Sequence, residues 1–265
     1  MANRLELAAT AGLAATASVY LGAWLALLWK RDRLGRGLAG IAWLLNAGLV
    51  AFNWFVAGAP PFGNMYHVLV VLALCFPPLF LLLAVRDRLG WTGAYFAFAS
   101  ALPLIGAIFM GQDVAWRRMP ALQSAWFVPH VLAYMISYAL ATVAAVMTLA
   151  DTARRKSDGQ GEGVDYDRAA YAALRLAFPF MTFGMLSGAL WAETAWGAWW
   201  SWDPKETWSL ITWTLYVVYF HCRATPSLRP YALPAQVLAF TALLITFFLV
   251  NLLPRLGSAL HSYAS

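Results

Sequence analysis

Eight apolar runs, at approximately residues 7–29, 38–58, 66–85, 91–109, 129–150, 173–191, 207–222 and 232–252, are separated by charges or Gly/Pro clusters and constrain this chain more than any other feature. A hydrocarbon core about 30 Å thick takes roughly 20 apolar residues per crossing helix. The expectation is an all-α integral membrane protein with eight transmembrane helices, forming one polytopic domain over residues 1–265. With 62% of residues hydrophobic, 11% charged and a mean hydropathy of +0.64, no room is left for a separate soluble catalytic domain. Cys75 and Cys222 lie on different apolar runs and form no CxxC, which argues against a disulfide framework or an internal thiol relay.

The first run is too long, and too weakly basic at its start, for a cleaved signal peptide, and Lys30, Arg31 and Arg33 close it like a membrane exit. An even number of crossings puts both termini on one side, and the cations decide which. The loops at 30–36, 86–88, 154–175 and 223–229 hold 13 of the 18 Lys and Arg residues. Arg4, Arg117, Arg118, Lys205 and Arg255 make up the rest. Positive charge collects in cytoplasmic loops, so both termini, the loop 110–128 and the connection 191–206 are expected outside. The net charge of +6 follows from that habit and calls for no nucleic acid. The polar insert Asp151 to Asp167 reads as a flexible cytoplasmic linker between two halves of the bundle.

The expected outer face carries the unusual chemistry. Six of the fourteen tryptophans, Trp191, Trp196, Trp199, Trp200, Trp202 and Trp208, fall in one connection. An interfacial belt would spread its indoles over many helix ends, whereas this clustering favours an apolar, stackable platform for a flat ligand. Asp203-Pro204-Lys205-Glu206 forms a capping-box pattern that would start the seventh helix and set the angle at which the tryptophan loop enters it. His67, His130 and His261 are expected outside. His221 lies 15 positions beyond Glu206, about 22 Å down the helix and near its cytoplasmic end, with Val217 and Trp213 outward on the same face. Outer imidazoles beside tryptophans, without an HExxH or a cysteine pair, fit a zinc hydrolase poorly and fit axial ligation of haem iron.

The stretch Trp191-Ala-Glu-Thr-Ala-Trp-Gly-Ala-Trp-Trp-Ser-Trp-Asp-Pro-Lys-Glu-Thr-Trp-Ser-Leu-Ile-Thr-Trp213 is followed by Tyr219-Phe-His221, Val250-Asn-Leu-Leu and Leu260-His-Ser-Tyr263. It resembles the CcsA (ResC) subunit of the System II cytochrome c synthase, with 191–208 as the external tryptophan-rich WWD haem-binding segment. The resemblance is dense from about 184 to 265. It implies a cytochrome c haem lyase subunit that binds haem b and presents it outside for thioether attachment to the CxxCH of an apocytochrome c. It further implies a ResB/CcsB-type membrane partner, a thiol-reducing thioredoxin-like protein and residence in the bacterial inner membrane.

Position by position, His130 in Pro129-His-Val-Leu-Ala-Tyr134 and His261 match the family's external axial histidines, and His221 matches its intramembrane one. Trp191, Trp196, Trp199, Trp200, Trp202, Asp203 and Trp208 would hold the ring, with Arg117, Arg118, Lys205 and Arg255 as candidate propionate contacts. Asn64-Met-Tyr-His67 stands where the family commonly has Asn-x-Tyr-Glu, so His67 is not carried over as a ligand. The tail up to His261 is longer than the family spacing. A HemX-like regulator or haem transporter without ligation activity is the competing reading. An unrelated transporter is weaker, since Pro77, Pro78, Pro103 and Pro179 are the only helix breakers and no buried carboxylate is expected.

Overall fold

The computed structural model describes residues 2–110, 120–157 and 164–249. Among them every long element is helical and no strand occurs. The order is α1 (Ala2–Leu28), α2 (Asp32–Ala57), α3 (Met65–Arg86), α4 (Gly93–Ile108), α5 (Phe127–Ser157), α6 (Tyr166–Trp196), α7 (Pro204–Ala224) and α8 (Ala232–Leu244). Short 3-10 turns precede α4 and α8, and one π-helical turn, Ile245–Leu249, prolongs α8. Each of the eight apolar runs therefore lies on its own helix. Pro77, Pro78, Pro103 and Pro179 sit inside continuous α3, α4 and α6 and break none of them.

Among the described residues, seven helices are long and apolar enough to cross a membrane. The exception among the eight is α7. It has 21 residues, but Trp208, Trp213, Tyr216 and Tyr219 alternate with Thr207, Thr212 and Thr214, and hydropathy counts these side chains as polar. At 1.5 Å per residue α7 is about 31 Å long, so its length is that of the hydrocarbon core even though its composition is not. The helices α5 and α6, at 31 residues each, outrun their apolar cores at both ends, because Ala, Arg and Lys continue a helix where lipid solubility has stopped.

The chain forms two compact units, Met1–Gln123 and Ser124–Ser265. The division does not fall at the polar insert 151–167, which joins α5 and α6 of the same unit. These two helices pack against each other more extensively than any other pair, so the insert is a hairpin connection and not a linker between halves.

In the first unit α1 packs on α2 and α4, and α3 packs on α4. Small residues let the backbones close up. A Cβ placed on Gly12 would stand 2.7 Å from Leu49, and one on Gly35 would stand 2.5 Å from Leu27. Two polar side chains tie α2 to α3: the Trp43 indole donates to the Leu74 carbonyl at 3.1 Å, and the Tyr66 hydroxyl donates to Asn53 Oδ1 at 3.1 Å. In the second unit α5 packs on α6 and α8, and α7 packs on α8. Gln236 of α8 donates to Thr148 Oγ1 of α5 at 2.6 Å, and Trp213 of α7 donates to Thr182 Oγ1 of α6 at 2.9 Å.

Candidate functional site

The site is built where α5 begins and α6 ends. His130 lies in the first turn of α5, and its Nδ1 is 2.8 Å from the carbonyl oxygen of Gly184 on α6. A carbonyl only accepts, so Nδ1 carries the proton and donates. Any bond from this ring to a metal then runs through Nε2. Such a backbone contact fixes the tautomer and orientation of a ligating histidine and raises its basicity. Glycine makes the seat. A Cβ on Gly188, one turn along α6, would stand 2.6 Å from both Cε1 and Nδ1 of His130, and one on Gly184 would stand 3.1 Å from the Tyr134 ring.

Aromatic rings wall the imidazole. Trp191 is 2% exposed, and its ring lies 5.4 Å from that of His130, tilted by 31°. Tyr134 meets the imidazole edge-on at 5.1 Å, while Phe127 and Trp196 flank Trp191 at 5.3 and 4.9 Å. Beyond Trp196 the chain leaves α6 through Gly197, whose φ of +75° is the left-handed conformation that glycine adopts without strain.

The six tryptophans do not form one platform. Trp191 is buried against His130 and Trp196 is half-buried beside it, whereas Trp199 and Trp202 are 58% and 69% exposed. Trp200 crosses Trp202 nearly perpendicularly at 5.9 Å, and Trp208 lies on α7. Trp202 has φ +58°, a left-handed conformation that costs a non-glycine residue on the order of 1–2 kcal/mol. The capping box holds it there. Asp203 Oδ1 accepts from the backbone N–H groups of Lys205 and Glu206 at 2.8 and 3.0 Å. In return Glu206 Oε2 accepts from the N–H groups of Ser201 and Asp203 at 2.8 and 3.2 Å. Thr207 also donates to the Trp202 carbonyl, at 3.2 Å.

Asp203 and Glu206 are thus buried carboxylates, placed at the end of α7 and not in mid-span. Burial pushes the neighbouring Lys205 ammonium down to about 8, and the Asp203 carboxylate offsets part of that shift. Lys205 stands in the first turn of α7, outside the stretch 207–222. Of the other candidate anion contacts, Arg117, Arg118 and Arg255 lie outside the described residues, as does His261. His67 is fully buried in the first turn of α3, where Asn64 Oδ1 accepts its backbone N–H at 2.8 Å.

His221 is exposed near the C-terminal end of α7. Ile211, Thr214, Val217 and Val218 are exposed on the same arc of the helix, so the imidazole faces away from the unit. Trp213, expected on that face, turns instead toward α6, where it bonds Thr182 and stacks on Phe178 at 5.6 Å. The eight-residue step from Trp213 to His221 accumulates about 80° around a helix, enough to separate the two faces.

The Gly184–His130 bond and the Gly188 seat were not foreseeable from local sequence, since both join positions more than fifty residues apart. The arrangement suits haem: an oriented imidazole, indole walls that exclude water, and one lysine among capped carboxylates.

Residues 62–256 match the family described as Cytochrome C assembly protein. A cytochrome c biogenesis protein CcsA from Chlamydomonas reinhardtii is 34% identical over 247 residues, covering 88% of this chain and 69% of the relative. The CcsA protein of Pinus thunbergii is 32% identical over 296 residues, covering 91% of each chain. That of a Synechococcus strain is 32% identical over 278 residues, covering 86% of this chain and 84% of its own length.

Proposed function

Because this multi-pass membrane chain belongs to the CcsA family of cytochrome c assembly proteins, we propose that it binds haem b and presents it outside the membrane for thioether attachment to an apocytochrome c CxxCH. It acts as the haem lyase subunit of a System II synthase in the bacterial inner membrane, with a ResB-type partner and a thioredoxin-like protein that keeps the apocytochrome thiols reduced. The seat of His130 carries this reading: one nitrogen tied to the Gly184 carbonyl, glycine at 188, and Trp191 along its flank.

Haem supplies the iron that two imidazoles ligate and the vinyl groups to which the cysteine thiols add. The chain's own residues bind and orient. His130 presents Nε2, and His261 is the second outer ligand that the family resemblance implies. Trp191 and Trp196 exclude water from the ring, while the exposed Trp199 and Trp202 form a rim at which an incoming peptide meets its edge. Trp200 and Trp208 support that rim from the loop and from α7. Lys205, with Arg117, Arg118 and Arg255, neutralises the propionates. The barrier is lowered mainly by positioning.

The stretch 207–222 of α7 is taken as the eighth crossing, which puts both termini and the tryptophan connection on the outer side, in keeping with the 13 cations of the opposite loops. His221 then sits toward the cytoplasmic side on a face turned away from its own unit, where it would hold an inner haem together with a residue of a partner subunit.

The test is co-expression with a ResB-type partner and an apocytochrome c, followed by denaturing electrophoresis and haem staining. Haem that stays on the cytochrome band, and is lost when this chain is omitted, is the expected outcome. Haem bound to this chain without any transfer to the cytochrome contradicts ligation and leaves a HemX-like role.

A further inference from the structure

The second unit has a cavity of about 720 Å³ at the end where α5 and α7 finish and α6 and α8 start. This is the end that carries Arg223 and Arg229, away from His130. Among its polar lining, the Tyr219 hydroxyl and the Arg223 guanidinium on α7 and Arg229 on the turn Pro226–Tyr231 are donors that approach from different directions. Arg223 is already anchored. It donates to Asp167 Oδ1 at 2.5 Å and lies 4.7 Å over the Tyr171 ring, which neutralises one lining carboxylate and leaves further N–H groups of its fork to donate. Arg229 is exposed and makes no ion pair among the described residues.

The rest of the wall is mixed: Thr148, Thr152 and Gln236 add hydrogen-bonding groups and Asp151 a second carboxylate, while Pro226, Pro230 and Leu233 give the side next to α8 an apolar surface. From Leu233, 44% exposed, an apolar stripe runs down α8 through Val237 at 50% and Leu244 at 39% to Phe248 at 45%. At 100° per residue Leu233, Val237 and Leu244 fall within about 40° of one another on a single narrow face, and Phe248 follows on the π-helical turn. A cation set at the headgroup end of the helices thus opens directly onto a lipid-facing track.

The geometry points to a phospholipid site. A tetrahedral phosphodiester takes donors from several directions, as Arg229, Arg223 and Tyr219 supply them, and an acyl chain follows the α8 stripe. A free phosphate would use the donors and leave the stripe unexplained. The basic loops at this end favour the anionic lipid surface of the cytoplasmic leaflet. The site is independent of the haem reading, since it shares no residue with the His130 seat.

Native mass spectrometry of the purified chain, titrated with dioleoylphosphatidylglycerol, tests it. Arg229→Gln, at an exposed position, should weaken retention of the tightest-bound lipid about tenfold, the loss of one charge-assisted hydrogen bond. Arg33→Gln, at an exposed arginine in the first turn of α2, should leave retention unchanged, and inorganic phosphate at about ten times the lipid concentration should not displace the lipid. Equal retention in wild type and R229Q overturns the site. Displacement by inorganic phosphate, or equally tight and Arg229-dependent retention of oleate, overturns its assignment to a phospholipid.

Discussion

Gly188→Ala separates the placement of His130 from the stability of the helix that seats it. The new Cβ would stand 2.6 Å from two atoms of the imidazole, where ordinary contact begins at about 3.4 Å, so the ring must move by roughly 0.8 Å. A shift of that size lengthens or breaks the 2.8 Å bond from Nδ1 to the Gly184 carbonyl, a loss of about 0.5–1.5 kcal/mol. Replacing a mid-helix glycine by alanine returns about 1 kcal/mol, so net stability should barely change. Ligand geometry should change a great deal, because a misplacement near 1 Å can cost about a hundredfold in a positioned reaction. The assay pairs helical circular dichroism on heating with the reduced absorption spectrum of co-purified haem. Expected are an unchanged unfolding midpoint, a haem spectrum like that of His130→Gly, and partial rescue by added imidazole. Gly184→Ala should be milder, since its Cβ meets Tyr134 at 3.1 Å and not His130. A Gly188→Ala protein with wild-type haem content and spectrum would refute the seat.

Lys205 titrates near 8, so haem affinity should fall as pH rises through that value, because an uncharged amine no longer attracts a propionate. A bound propionate pushes the midpoint upward, Lys205→Met removes the step, and a step that survives in the variant belongs to another group. Without haem the same depressed value makes the protein gain stability as pH climbs from about 8 toward 10.5, which thermal unfolding at those two pH values checks. Glu206→Ala strips the acceptor from Ser201 and Asp203 and should cost about 1–3 kcal/mol in unfolding, with Glu206→Gln less damaging; equal stability of Glu206→Ala and wild type would contradict the cap's role. A reporter active only outside the cytoplasm should give signal when fused after residue 120 and none after residue 160, and the reverse would move His130 to the cytoplasmic face.

The helices were legible because lipid solubility writes itself into runs of about 20 apolar residues, and each of the eight runs lies on its own helix. Their ends were less so: α5 reaches Ser157 and α6 starts at Tyr166, beyond the runs at 129–150 and 173–191, since charged residues with good helix propensity continue the backbone into the headgroup region. The Asp203–Glu206 cap was readable because a capping box is a local pattern at fixed spacing. The seat of His130 was not, because nothing near His130 in sequence says that Gly184 and Gly188 will face it. The tryptophan cluster was visible as composition but not as geometry. Its division into a buried Trp191 and an exposed Trp199 and Trp202 depends on where Gly197 and Trp202 turn the chain.

The central claim is that His130 and His261 together hold haem outside the membrane. The most direct measurement is the oxidised and reduced absorption spectrum of the chain purified with its ResB-type partner, as wild type, His130→Gly and His261→Gly, each with and without imidazole. Expected are a six-coordinate bis-histidine spectrum in wild type, five-coordinate or readily oxidised haem in both variants, and recovery of both when imidazole fills the vacant position. Wild-type spectra in both variants would remove the two histidines from the iron and contradict the account.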